Sequence, residues 1–247
     1  MDIAIAGGTG VIGSLVVRIA QERGHAVRVL SPGTGIDVLA GVGLESALRG
    51  ADAVIDVLGI TTTDARKATD FFTRTTANLL AGQSGAGHHI ALSIVGVDRA
   101  PYDYYAGKIA QEEAVMHGDV PWTILRATQF HDFAGQIHAR AAFGPLHPAV
   151  RMRTQPVDAS EVATRLVELA EHPPHGRARD IAGPREEELA EMMRAWARHH
   201  GRGGWMPRIG LPGAFGRAMR SGALLPQGDA DLRGVTFAEW LSARPGS

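Results

Sequence analysis

The stretch Asp2-Ile3-Ala4-Ile5-Ala6-Gly7-Gly8-Thr9-Gly10-Val11-Ile12-Gly13-Ser14 decides the fold. A short apolar run enters a glycine turn, and an amphipathic segment, Leu15 to Arg23, follows it. This reads as buried strand, tight turn and helix. A helix N-terminus offers free N–H groups backed by the helix dipole, so such a turn binds phosphate. Each glycine has a task. Gly7 permits the sharp turn, Gly10 keeps a side chain out of the phosphate path, and Gly13 lets the helix lie close to the sheet. The spacing is Gly-x-x-Gly-x-x-Gly rather than the Gly-x-Gly-x-x-Gly of the dehydrogenase fingerprint. Glycine is common here, 31 of 247 residues, so the spacing matters only for its place between a strand and a helix. A plain strand-to-helix turn is the competing reading.

Outside this stretch the composition is that of a globular chain long enough for one large domain, with 45% hydrophobic and 21% charged residues. A net charge of -1 provides no field that would draw it to nucleic acid or a membrane surface. Cysteine is absent, which excludes disulfides, thiolate metal sites and thiol catalysis. No basic leader and no long apolar run is visible, so a cytoplasmic location is expected. Of the 25 basic residues only two, Lys67 and Lys108, are lysine. In a chain that uses arginine by default, a lysine marks a place where arginine does not serve.

Strand-like runs then alternate with helical ones. Ala26–Leu30, Ala53–Leu58, His89–Val95 and Trp122–Arg126 read as strands, with a remnant at Ile36–Val38. Helices are expected near Ala65–Leu80 and Tyr104–His117, the latter with a polar face at Gln111-Glu112-Glu113. The alternation implies a doubly wound parallel sheet, which binds ligands beyond the carboxyl ends of its strands. From about Gly144 the texture becomes richer in proline, histidine and glycine. The division expected is therefore a nucleotide-binding core over 1–143 and a small C-terminal lobe over 144–247. Within the lobe, Val157–Glu171, Glu186–Arg198 and Thr236–Leu241 read as helices, and Gly201–Gly234 as a lid or substrate wall.

All three tyrosines fall in Pro101-Tyr102-Asp103-Tyr104-Tyr105-Ala106-Gly107-Lys108. Four residues apart on a helix, Tyr104 and Lys108 share a face. A nearby ammonium favours phenolate and lowers the phenol pKa from about 10. An ordinary solvent-facing helix start is the alternative. Ser93 closes a strand, where its hydroxyl can hold a carbonyl or simply bond backbone. His131-Asp132 reads as a helix start more readily than as a ligand contact. The eleven histidines include pairs at His88-His89 and His199-His200. None has metal-site spacing, so no metal is expected.

Taken in order, Gly7-x-x-Gly10-x-x-Gly13, Ser93, Tyr104-x-x-x-Lys108 and Val120-Pro121-Trp122-Thr123-Ile124-Leu125-Arg126 resemble the short-chain dehydrogenase/reductase superfamily, and within it the atypical, NmrA-like branch. The resemblance covers about Met1–Phe133. It implies a Rossmann-type α/β fold and a nicotinamide dinucleotide carrying hydride. Tyr104 would exchange the proton, Lys108 would bind ribose and tune Tyr104, and Ser93 would position substrate. It places the cofactor on Gly7, Thr9, Gly10, Val11, Ile12, Gly13, Ser31, Thr34, Asp37, Val38, Leu58, Gly59 and Lys108. Substrate would meet Gln129, Phe130 and His131. Two departures stand out. Ala127 replaces the proline that often follows Leu-Arg. Ser31-Pro32-Gly33-Thr34 carries neither the acid associated with NAD nor the arginine associated with NADP. The hydroxyls of Ser31 and Thr34, with no carboxylate to repel a 2′-phosphate, lean the expectation to NADP.

The leading expectation is thus an NAD(P)H-dependent reductase of a small carbonyl or related compound, acting as monomer or homodimer without nucleic acid or membrane. The alternative is a non-catalytic NADP-binding NmrA-like redox sensor that binds a protein partner. Epimerase chemistry on a nucleotide sugar comes third, because the lobe is short and lacks an evident diphosphate-binding cluster.

Overall fold

A computed structural model describes residues 1–83, 87–141, 144 and 146–245. Phe143, the expected end of the core, and Pro145 lie outside the described residues. The chain forms two compact units, 1–126 with 159–179, and 127–158 with 180–247. The division of contacts therefore does not follow the sequence boundary at 143. The second unit begins at Ala127, and the helix Ala159–Ala170 returns to the first.

The first unit holds β1 (Asp2–Ala6), α1 (Val11–Glu22), β2 (Ala26–Leu30), α2 (Leu44–Leu48), β3 (Ala53–Asp56), α3 (Ala65–Gly82), β4 (His88–Ile94), α4 (Tyr104–His117) and most of β5 (Trp122–Ala127). The strands lie in the order β5-β4-β3-β1-β2. β1 pairs in parallel with both β2 and β3, and β3 with β4. Ile3, Ala4, Ile5 and Ala6 are completely buried, as are Ala53, Ile55, Ile90 and Ala91. That is the burial expected of strands covered on both faces. The chain reverses its order of travel across the sheet at β1, so β1 ends at the switch point where such sheets bind ligands.

Helices cover this sheet for local reasons. On α1, Ile12, Val16, Ile19 and Ala20 recur at helical spacing and are buried. Asp64 caps α3 by accepting from the Arg66 and Lys67 amides at 2.9 and 3.2 Å. The pair α3–α4 packs so closely that a Cβ on Gly107 would sit 2.6 Å from the Ala68 carbonyl carbon. Ile36–Val38 is not a third strand. Asp37 makes one antiparallel bridge to Val42, and Val38 is buried against Ala6, Leu30 and Leu79.

In the second unit come α5 (Phe133–Ala141), β6 (Ala149–Val150) and β7 (Arg153–Thr154). The first unit takes the next segment, α6 (Ala159–Ala170) and β8 (Gly176–Arg177), where α6 packs on α1. Arg23 of that unit reaches Glu171 at 2.7 Å, and His25 Nε2 reaches the same carboxylate at 2.8 Å. The second unit then continues through β9 (Ile181–Ala182), β10 (Glu187–Glu188), α7 (Leu189–His199), β11 (Arg208–Ile209), α8 (Gly213–Ser221), β12 (Asp231–Leu232) and α9 (Phe237–Ser242). Ala127, the last residue of β5, pairs with Ile181 there, and β12 pairs in parallel with β9. The stretch 201–234 is not structureless, since it carries α8 between two short strands. Among the described residues no helix is long and apolar enough to cross a membrane.

Candidate active site

Gly7 leaves β1 at φ +85°, a region side chains avoid, and its Cα lies against the next strand exit: a Cβ there would sit 3.1 Å from the Val57 carbonyl carbon. Gly13 is still more constrained, because a Cβ would lie 2.0 Å from the Gly7 oxygen. Gly10 is the N-cap of α1 and offers no side-chain cap, and the first turn carries no acidic residue. Thr9, Gly10 and Val11 are exposed, while Ile12 and Gly13 are buried beneath them. A helix end left bare of caps and carboxylates, in front of a turn only glycine fits, suits a pyrophosphate.

The turn after β2 spends its own hydroxyls. Thr34 Oγ1 accepts from the Ser31 amide at 3.2 Å and lies 2.8 Å from both the Val29 and Ser31 carbonyl oxygens, to either of which it can donate. Ser31 is 5% exposed. The two groups expected to receive a 2′-phosphate are therefore a closed turn and a buried serine. Asp37 Oδ1 accepts from the Ala40 amide at 3.0 Å, which holds the hairpin beside that turn. Leu58 is half-buried against the core, and Gly59 is exposed.

At the exit of β3 the sequence-predicted residues meet one that was not predicted. Asp56 is fully buried, and both its oxygens accept hydrogen bonds: Oδ1 from the Leu58 amide at 3.0 Å, Oδ2 from Gln111 Nε2 at 2.7 Å. Gln111 Oε1 in turn accepts from Lys108 Nζ at 2.6 Å. The ammonium also donates to the Leu92 carbonyl at 2.7 Å and stands 4.4 Å from the centre of the Phe72 ring. Burial pulls the Lys108 pKa down to about 8, against the opposing pull of Asp56 and Glu112.

Tyr104 begins α4, one residue after Asp103, whose φ of +52° is the only positive value of a non-glycine among the described residues. Its ring packs edge-on against Phe72 at 5.5 Å, and its hydroxyl lies where a Cβ of Gly59 would be 3.4 Å away. Burial first, then the charges of Asp56 and Tyr105, push its pKa above the ordinary value. The expected lowering by Lys108 is not found: the ammonium is turned to Leu92 and Gln111, and the charge of Asp56 disfavours the phenolate. Ser93 is 2% exposed; no hydrogen bond of ordinary length reaches its hydroxyl among the described residues, but the hydroxyl stands close enough to the Glu112 carboxylate to favour its ionised form. The structure thus places Tyr104 beside Gly59 and Lys108 beside Leu92, with no hydrogen bond joining the two.

The sequence reads Gln111 and Glu112 as a polar helix face, yet they are 0% and 2% exposed. Arg126 grips Glu112 through Nε at 2.8 Å and Nη2 at 2.7 Å, and Arg177 adds a contact at 2.8 Å. Burial opposes ionisation of Glu112, but the Arg126 hydrogen bonds, the Ser93 hydroxyl and both guanidinium charges hold its pKa below the usual range. The signal available in the sequence was Asp56 itself, a lone acid in an apolar strand, which demands a partner.

The predicted substrate residues lie in the second unit. Gln129 Oε1 accepts from Thr154 Oγ1 at 2.7 Å. Phe130 is half-buried and bridges Val157 through its backbone. His131 is fully buried between Phe237 and Trp240, and its Nε2 lies 3.1 Å from the Val235 carbonyl, to which it donates. Burial keeps it less basic than usual. A cavity of about 340 Å³ in this unit is lined instead by residues such as Arg185, Glu187, Arg198, His199 and Phe237. Among the described residues no cluster can hold a metal ion.

The family profile described as NAD(P)H-binding matches residues 34–173, more than half of the chain. The chain belongs to the NAD(P)H-binding family. Its match begins after the glycine turn and spans Asp56, Ser93, Tyr104 and Lys108. Solved structures agree on the fold. A short-chain dehydrogenase/reductase superfamily protein from Agrobacterium tumefaciens with bound NAD is 17% identical, with a TM-score of 0.69 over 98% of this chain and 95% of that one. The UDP-glucose 4-epimerase of Thermus thermophilus, in complex with NAD, is 16% identical, with a TM-score of 0.68 over 99% and 94%. A dTDP-4-dehydrorhamnose reductase from Clostridium acetobutylicum is 13% identical, with a TM-score of 0.70 over 85% and 84%. No curated protein matches the chain. The family member thus has the Rossmann-type fold of these NAD-bound structures.

Proposed function

We propose that this family member is an NAD(P)H-dependent reductase of a small carbonyl compound, with Tyr104 as proton donor. The observation that carries the reading is the Tyr104 hydroxyl set against Gly59 at the β3 exit and kept protonated by burial and Asp56. A phenol that stays protonated can give a proton to an oxygen that gains negative charge as hydride arrives. Phenolate, which proton abstraction from an alcohol would need, is disfavoured, so the resting protonation state suits reduction. The α1 N-terminus would hold the pyrophosphate, with Leu58 and Gly59 along the dinucleotide. A nicotinamide dinucleotide supplies the hydride when bound. Ser93, the buried hydroxyl near the end of β4 beside Glu112, is the group to hold the carbonyl oxygen. For the cofactor's 2′ position the closed Ser31–Thr34 turn supports no preference for NADP.

Tyr104→Phe tests this directly. Turnover of NADH or NADPH with a panel of aldehydes, ketones and quinones should fall by ~10²-fold or more, with dinucleotide affinity nearly unchanged. An unchanged rate removes Tyr104 from the chemistry. One observation favours the non-catalytic sensor, namely that Lys108 is engaged by Leu92 and Gln111 instead of Tyr104. That reading predicts dinucleotide binding by the wild-type protein without turnover of any member of the panel.

A further inference from the structure

We infer that Asp56 is a positioning residue that fixes the Gln111 amide so that its oxygen, not its NH2 group, faces the buried Lys108 ammonium. A glutamine amide can present either end, and which end it presents is set by its second partner. Both Asp56 oxygens already accept hydrogen bonds, one of them from Gln111 Nε2 at 2.7 Å. Only the amide oxygen is left to face Lys108, at 2.6 Å. Lys108 is 4% exposed and finds its remaining stabilisation in the Leu92 carbonyl and the Phe72 ring. A flipped amide would set an NH2 group against the ammonium and take away one of its acceptors. The acid in β3 therefore governs a lysine in α4, through a glutamine that lies one helical turn from that lysine.

The same carboxyl accepts from the Leu58 amide and so shapes the turn leading to Gly59, against which Tyr104 rests. Asp56 thus orders both halves of the Tyr104–Lys108 pair, keeping the lysine charged and the tyrosine protonated. The inference rests on the proposed site, but its test needs no turnover. A protein with no carbonyl activity and an intact relay would sink only the proposed function.

The chain has two lysines, of which Lys67 is exposed, so protein labelled with ¹³Cε-lysine gives two resolvable titrations, assigned with Lys67→Arg. The wild-type Lys108 midpoint should lie near about 8. In Gln111→Met it should fall below about 7, because the ammonium loses an acceptor, and likewise in Asp56→Asn, which removes both the anchor of that acceptor and a negative charge that favours the ammonium. In the Asp56→Asn/Gln111→Met double variant, Asp56→Asn should add less than its effect alone, since only the direct influence of its charge is left once the amide is gone. Unmoved midpoints, or full additivity of the two substitutions, would overturn the relay. Should Asp56→Asn not fold, the Gln111→Met midpoint alone decides, an unmoved value refuting the role of the amide.

Discussion

The two ends of the sheet in the first unit bury polar groups in opposite ways. At the carboxyl end, Asp56, Gln111, Lys108, Glu112 and Arg126 are tied into networks in which charge meets charge or a full hydrogen bond. At the amino end, His88 and His89 are also buried, but each is bonded through one nitrogen only. His88 Nε2 meets Thr123 Oγ1 at 2.8 Å, and His89 Nδ1 meets Gln83 Oε1 at 2.7 Å. The other ring nitrogen of His89 has no partner among the described residues, and that of His88 has no hydrogen bond of ordinary length, with the His172 backbone nearby. One end keeps ions in place by pairing them, whereas the other keeps imidazoles neutral by burying them. The paired end is also where the strands meet the glycine turn, so ligand chemistry and fixed charge coincide there.

Breaking the paired end should cost most. Arg126→Met leaves Glu112 buried with Arg177 as its remaining cation, a loss of about 3 kcal/mol read from urea unfolding at neutral pH. Glu112→Gln in the same background should recover part of that loss, because the uncompensated charge is gone. Stability unaffected by Arg126→Met would mean the carboxyl end is not held by its charges.

The amino end should fail with acid. Burial, then the neighbouring His175 and His89, lower the His88 pKa from 6.5 to about 4. The unfolded chain takes up its proton below about 6.5, while the folded chain does not until about 4. Stability from this residue is complete above about pH 6.5, declines as pH falls toward about 4, and is level below it. The decline is worth roughly 2 kcal/mol for a side chain this buried. His88→Gln should flatten that part of the stability–pH curve while leaving the neutral-pH value nearly unchanged. A curve of unaltered slope would show that the acid sensitivity lies elsewhere.

The smallest effect concerns strain at the paired end. Asp103 holds φ +52° and ψ -125° immediately before Tyr104, without a cap hydrogen bond. Asp103→Gly should raise stability by about 1 kcal/mol, seen as a higher melting temperature. If Tyr104 is set by the Phe72 and Gly59 contacts, turnover should stay within about twofold, a difference too small to mark a lost proton donor.

The contrast also explains what the sequence could and could not disclose. The strand–glycine–helix start, the apolar strands and α3 were legible because each is a local pattern. Asp56 and Gln111 stand 55 residues apart, so their pairing depends on how β3 and α4 are brought together. Gln111 and Glu112 looked like a wet helix face because polarity alone does not say whether a partner waits across the interface. The return of α6 to the first unit was hidden similarly, since an amphipathic helix does not announce which core it covers. The helix α8 was masked by the glycines and prolines around it. His131, placed against substrate by the family resemblance alone, is sealed between Phe237 and Trp240.

The central claim, that a dinucleotide sits on the bare N-terminus of α1, is best tested by titrating NADH and NADPH into Gly10→Asp and wild-type protein by nicotinamide fluorescence. Gly10 is the N-cap at φ -77°, a conformation aspartate adopts, and a Cβ there needs only a few tenths of an ångström from the Gly7 oxygen at 3.3 Å. Aspartate at this position caps the helix, so the melting temperature should hold or rise. Its charge would face the pyrophosphate, so affinity should drop by ~10²-fold. Equal affinity for Gly10→Asp and wild type would place the dinucleotide somewhere other than the glycine turn.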